Sequence, residues 1–170
     1  MNIYWICLYG LLDPERRTEV EMQGYESYLK ACASRIRKDM QSGITPCIVL
    51  SGGRTTDEPT SEAQSVKPFF ASHLGGGRPG AYQLILDEES LDSIQHIKRL
   101  KEHIRVHGGS HITIMCDSLR VFKTRVLAWR ILSDTGITYE VVGFKREDIH
   151  PSSNWRTQTL AGIKYFFIKL

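Results

Sequence analysis

The segment Cys47-Ile48-Val49-Leu50-Ser51-Gly52-Gly53-Arg54 decides the fold. An unbroken apolar run closed by Ser-Gly-Gly reads as a strand buried on both faces, turning sharply toward a helix. Upstream, Met22, Tyr25, Leu29, Cys32 and Ile36 recur at three- and four-residue spacing, predicting a helix over Thr18–Met40 that Gly43 ends. Ahead of it, Ile3–Tyr9 is a strand closed by Gly10 and Asp13-Pro14. Downstream, a helix is expected over Ser61–His73, followed by the glycine loop 75–80 and a strand over Tyr82–Leu86. Further units follow the same rule. A helix over Ser90–Val106 carries the stripe Ile94, Ile97, Leu100 and Ile104, and leads to a strand over His111–Met115. A helix over Ser118–Leu132 with Leu119, Phe122, Val126, Leu127 and Ile131 inward, a strand over Ile137–Phe144 and a helix over Trp155–Ile168 complete the pattern. Such alternation requires a mostly parallel five-stranded sheet with helices on both faces, a three-layer α/β/α sandwich.

Composition agrees with one domain spanning residues 1–170. The 170 residues are 41% hydrophobic and 24% charged, and 22 Lys+Arg against 19 Asp+Glu leave a net charge of +3. A chain of this length buries enough surface to need no metal or disulfide staple. The basic residues are interleaved with acidic ones, so composition supplies no electrostatic case for a dedicated nucleic-acid binder, and none is expected. The apolar run Ile3–Leu12 is about half of what spans a bilayer, so no membrane segment is expected. Cys7, Cys32, Cys47 and Cys116 are dispersed without a CxxC pair, which predicts buried thiols in a reducing, cytoplasmic compartment.

Right-handed crossovers open the carboxyl ends of all parallel strands on one face, where ligands bind beside a topological switch point. The polar residues concentrate at those ends. Gly52 and Gly53 allow a turn that exposes successive N–H groups, and with Arg54 they predict a cradle for phosphate or carboxylate beside Ser51. The simpler alternative is a tight turn followed by a solvated arginine. Ser61 and Glu62 suit the start of a helix, as do Ser90 and Ser93, but Asp92, Gln95 and His96 form a denser polar cluster than a cap requires. Asp87, Glu88 and Glu89 are candidate general bases or ligands for a divalent metal, and equally complement a helix dipole. Asp117 is a further candidate base. On the fourth helix, Arg120 and Arg125 are the cations expected to reach an anionic ligand, with Lys123 and Arg130 in solvent.

No Ser-His-Asp order, G-x-S-x-G elbow or P-loop occurs and no G-x-G-x-x-G follows the first strand, so common hydrolase, kinase and dehydrogenase assignments lack support. His103, His107 and His111 recur every fourth residue without the glutamate of HExxH and read as a polar face running into a strand. Cys116 is a candidate thiolate nucleophile with His96 as partner; the alternative is a buried strand-end cysteine.

The order Ser51-Gly52-Gly53-Arg54, Ser61-Glu62-Ala63, Asp87-Glu88-Glu89-Ser90 and Asp92-Ser93-x-Gln95-His96 resembles the YdcF/SanA/ElyC-type domain family of bacteria. Its pattern is a hydrophobic strand ending in SGG, a following SEA, and an acidic-Ser segment leading into N-T-x-E-N. The resemblance implies a Rossmann-like fold with a polar pocket at the strand ends. Ser51–Arg54 match the glycine-rich loop and Ser61-Glu62 the SEA helix start. Asp92, Ser93, Gln95 and His96 replace Asn, Thr, Glu and Asn, which implies a retuned pocket. A later Thr-Ser, His and Arg of the family correspond to Cys116-Asp117-Ser118, Phe122 and Arg125, so the shared histidine is lost. S-adenosylmethionine or a related nucleotide is the ligand the resemblance suggests. Envelope roles belong to membrane-anchored members, and an anchor is not expected here. Methyl transfer is not carried over, since no glycine-rich loop follows Tyr9.

The expected function is therefore a cytoplasmic small-molecule protein that binds an anionic, nucleotide-like or phosphorylated ligand at the strand ends, with the reaction open. Two alternatives stand beside it. One is a catalytically inert interaction module with Tyr165-Phe166-Phe167 as an apolar patch; the other is a metal-assisted hydrolase using Asp87–Glu89.

Overall fold

The computed structural model describes residues 2–10, 13, 15, 18–54, 59–75, 80–145 and 163. Strands and helices alternate as β1 (Asn2–Cys7), α1 (Glu19–Gln41), β2 (Pro46–Ser51), α2 (Glu62–Leu74), β3 (Gln83–Asp87), α3 (Ser93–His107), β4 (His111–Asp117), a 3₁₀ turn (Ser118–Arg120), α4 (Val121–Leu132) and β5 (Thr138–Phe144). The expected Trp155–Ile168 helix with its Tyr165-Phe166-Phe167 patch lies outside the described residues, as do residues 76–79 of the glycine loop.

The strands form one sheet in the order β3-β2-β1-β4-β5, and every neighbouring pair is parallel. Strand residues alternate between two cores. Ile3, Trp5 and Cys7 join Cys47 and Val49 under α3 and α4. Tyr4, Ile6 and Leu8 join Ile48 and Leu50 under α1 and α2. Burial on both faces is why β1 and β2 read as continuous apolar runs rather than alternating ones. The result is a Rossmann-like three-layer α/β/α sandwich. After β3 the chain returns across the sheet through α3 to place β4 beside β1, so the direction of winding reverses between β1 and β4. That reversal is the topological switch point.

Local chemistry sets the helix starts. Thr18 and Glu21 form a reciprocal capping box at α1, and the Ser61 hydroxyl accepts from the Gln64 amide at α2. Helix α3 begins at Ser93 rather than Ser90, because Asp92 accepts from the Ile94 and Gln95 amides while the Ser90 hydroxyl turns back to Asp87. Helix α4 begins at Val121, after a 3₁₀ turn capped by Asp117. Its buried face runs through Thr124, Leu127, Ala128 and Ile131, which rotates Phe122 outward to 44% exposure, against the inward position expected for it.

Candidate functional site

Strands β1 and β4 remain paired up to Ile6 and Met115 and then part. Their last carbonyls need a donor, and the buried Tyr28 hydroxyl supplies one, lying 3.0 Å from Cys7 O and 3.2 Å from Met115 O. Above this point opens a crevice of about 340 Å³. Leu8 and Tyr9 following β1, Glu62 of α2, residues 91–93 and His96 at the start of α3, and Arg120 with Lys123 following β4 line it. Four chain segments thus converge at the switch point.

Positive charge in the crevice lies on the β4 side. The Arg120 guanidinium stacks over Tyr9 at 4.9 Å, which holds it across the opening. Lys123 sits one turn further along the same face. Burial, and next the neighbouring Arg120 charge, hold its ammonium below the usual lysine range. Among the described residues neither cation forms an ion pair with a carboxylate.

His96 lines the crevice on the α3 side, and a polar chain runs behind it. Ser51 Oγ donates to Asp87 Oδ2 at 2.5 Å and lies 2.6 Å from His96 Nδ1; the Ser90 hydroxyl donates to the same carboxylate oxygen. A carboxylate only accepts, and a serine has one proton to give. Ser51 therefore directs that proton to Asp87 and accepts from Nδ1–H of His96, which leaves Nε2 as the unprotonated nitrogen. Burial lowers the His96 pKa to about 4, with the Asp87 charge opposing the shift, so the imidazole is neutral at pH 7. Serine is the middle member of this chain and is 0% exposed, an arrangement unsuited to a serine nucleophile.

The glycine loop differs from its expected form. The Gly52 amide donates to Asp87 O at 2.9 Å and the Gly53 amide to Ser90 O at 2.7 Å, while their carbonyls accept from Ala63 and Glu62. The cradle expected of these amides is closed, because both are already satisfied by the segment that follows β3. Close approach explains the glycines instead. A Cβ on Gly52 would lie 2.8 Å from Glu62 Cβ and 2.9 Å from Leu8 Cβ, and one on Gly53 would lie 3.0 Å from Ser90 O. Arg54, expected as an anion ligand, is exposed and does not line this crevice.

The remaining candidates divide in the same way. Glu62, Asp92, Ser93, His96 and Arg120 meet in the crevice, with Asp92 also serving as the α3 cap. Ser61 is the buried cap of α2, and Gln95 Oε1 accepts from the Leu91 amide. Asp117, expected as a base, instead accepts from the Leu119 amide at 2.7 Å and lies outside the crevice. Arg125 is exposed on α4 and lies outside it too. Glu88 and Glu89 face a separate groove of about 450 Å³ beside α3, where Glu89 and Glu102 both pair with Arg99. No group of three His, Cys, Asp or Glu side chains able to hold a metal occurs among the described residues. Cys116 is fully buried and its thiol is pushed up to about 11, chiefly by burial, while His96 bonds to Ser51; the thiolate pair is thereby overturned. All four cysteines are free and buried.

Lys123 was expected in solvent and is the residue that sequence reasoning missed. Its signal was the three-residue spacing from Arg120, which puts both on one helical face. The Ser51–His96 link had no local signal, since 45 residues separate the partners.

Fold and site together define a parallel α/β protein with an open crevice at its switch point, lined by Arg120 and Lys123 and by the carboxylates of Glu62 and Asp92. No family model matches the chain, and no curated protein or solved structure matches it. No helix among the described residues is long and apolar enough to cross a membrane.

Proposed function

We propose that this chain binds an anionic small molecule, phosphorylated or nucleotide-like, in the crevice between β1 and β4, with Arg120 and Lys123 holding the charged group. The observation that carries this reading is the pair of cations side by side in a concave site, unpaired with any carboxylate among the described residues. Neighbouring like charges repel, and a bound anion relieves both at once. At about 340 Å³ the crevice suits a small ligand, near the lower end of typical ligand cavities. Membership of the YdcF-like group belongs to the same proposal and is supported by the order of its SGGR, SEA and acidic-Ser segments. So does a cytoplasmic location in a bacterium, for which the four free, buried thiols are the support.

The test is calorimetry and thermal shift with inorganic phosphate, AMP and S-adenosylmethionine on wild type, Arg120→Ala and Lys123→Ala. A ligand at a hundred times its Kd stabilises the wild type by about 2.7 kcal/mol. Each alanine variant should keep its fold and lose at least about tenfold in affinity, as removal of a charge-assisted contact does. Binding that survives both substitutions overturns the reading.

A further inference from the structure

We infer that the crevice selects anions carrying a neutral hydrogen-bond donor, that is hydroxyl-bearing phosphate esters such as sugar or polyol phosphates, and that His96 Nε2 accepts the donor's proton. This rests on the anion reading above and adds a second contact to it. His96 is only 4% exposed, yet it lines the crevice. Its hydrogen bonds among the described residues are the backbone bond to Asp92 O and the Nδ1 bond to Ser51, so Nε2 has no partner among them. Asp87 reaches Nδ1 through Ser51, which settles which nitrogen carries the proton and points a lone pair at the ligand space. An acceptor held this way at the crevice wall accepts from water until a ligand donor replaces it.

The donor's charge follows from the neighbours. Arg120 and Lys123 act on the imidazole against Asp87 and Asp92, so charges of both signs surround it and no net field there calls for a charged donor. A hydroxyl needs none. Bare anions such as phosphate satisfy the cations but offer Nε2 little, whereas a phosphate ester with a nearby hydroxyl satisfies both. Because only binding is invoked, no bond is made or broken.

The discriminating probes are glycerol 3-phosphate and methyl phosphate, equal in charge and differing in the hydroxyls. Wild type should bind glycerol 3-phosphate about tenfold more tightly, the worth of one added hydrogen bond. The variant His96→Asn keeps a side-chain N–H where Nδ1–H donates to Ser51 and removes the distal acceptor. It should lose the tenfold preference between the two esters. His96→Gln, whose side chain reaches the Nε2 position with a carbonyl oxygen, should recover part of it. Equal affinity of wild type for the two esters, or a preference that persists in His96→Asn, overturns the role of His96 while leaving the anion site intact. Failure of wild type to bind either ester overturns both.

Discussion

The carboxyl ends of β2 and β3 and those of β1 and β4 lie on the same edge of the sheet, yet they differ in how their polar groups are satisfied. At β2 and β3, Ser51 pairs in register with Asp87, and the amides of Gly52 and Gly53 close onto the β3–α3 segment. The glycine amides and the Ser51, Asp87 and Ser90 side chains there are bonded internally. At β1 and β4 the strands diverge, the last carbonyls are served by Tyr28, and the side chains above them keep unfilled capacity in Arg120, Lys123 and His96 Nε2. The lesson is that a glycine-rich turn after a strand is open to ligand only when no neighbouring segment takes its amides. Here the segment leaving the adjacent strand β3 supplies such acceptors, whereas β1 and β4, on either side of the winding reversal, part at their ends.

His96 joins the two regions, and its ionisation gives the largest expected effect on stability. Its folded pKa of about 4 lies below the ordinary 6.5, so the unfolded chain takes up the proton first. Stability then rises with pH between about 4 and 6.5 and falls as acid passes back through that window. The contribution is roughly 3 kcal/mol at about 1.4 kcal/mol per unit. Urea unfolding of wild type at pH 7 and pH 4, set against His96→Asn, should show that share of the acid sensitivity only in wild type. Equal pH dependence would place His96 outside the acid response.

Ser51→Ala comes next. It removes the shared hydroxyl from Asp87 and His96, leaving a buried imidazole N–H unpaired, at a cost of about 2–3 kcal/mol in a denaturant melt. It should also blur the preference between the two phosphate esters, since the His96 tautomer is no longer imposed. Gly52→Ala tests whether the closed turn is a packing device. Its Cβ collides with Glu62 and Leu8, and about 1–2 kcal/mol should be lost as the α2 start shifts. An alanine tolerated without loss would mean that the close approach is not needed. The smallest effect is expected for Arg54→Ala, which should change stability by less than about 0.5 kcal/mol and leave anion affinity unaltered. A clear loss of affinity there would move the anion back to the glycine turn.

Much of the fold was legible because periodicity is a local property. Strand-length apolar runs at Ile3, Cys47, Tyr82, His111 and Ile137, separated by helical stripes, predicted the alternation now seen in β1–β5 and α1–α4. The misplaced boundaries are helix starts. The Ser90 hydroxyl serves Asp87 instead of capping a helix, and at Ser118 a 3₁₀ turn capped by Asp117 precedes the helix. Of the site, Glu62, Asp92, Ser93, His96 and Arg120 were recognised as polar residues at strand ends. Lys123 was set aside as solvated and Arg54 was promoted, since an isolated Gly-Gly-Arg does not reveal which acceptors lie across from it.

Amino-acid order alone determined a parallel sheet between two helical layers and the edge at which chemistry collects, because hydrophobic spacing and turn residues act over a few positions. Only the tertiary arrangement decided which strand ends would be sealed and which left receptive. That choice depends on partners 36 to 45 residues apart, Ser51 with Asp87 and with His96, brought together by strand order. A hydrogen-bonding group can be named from its residue type, but whether it is already satisfied is a property of its neighbours in space.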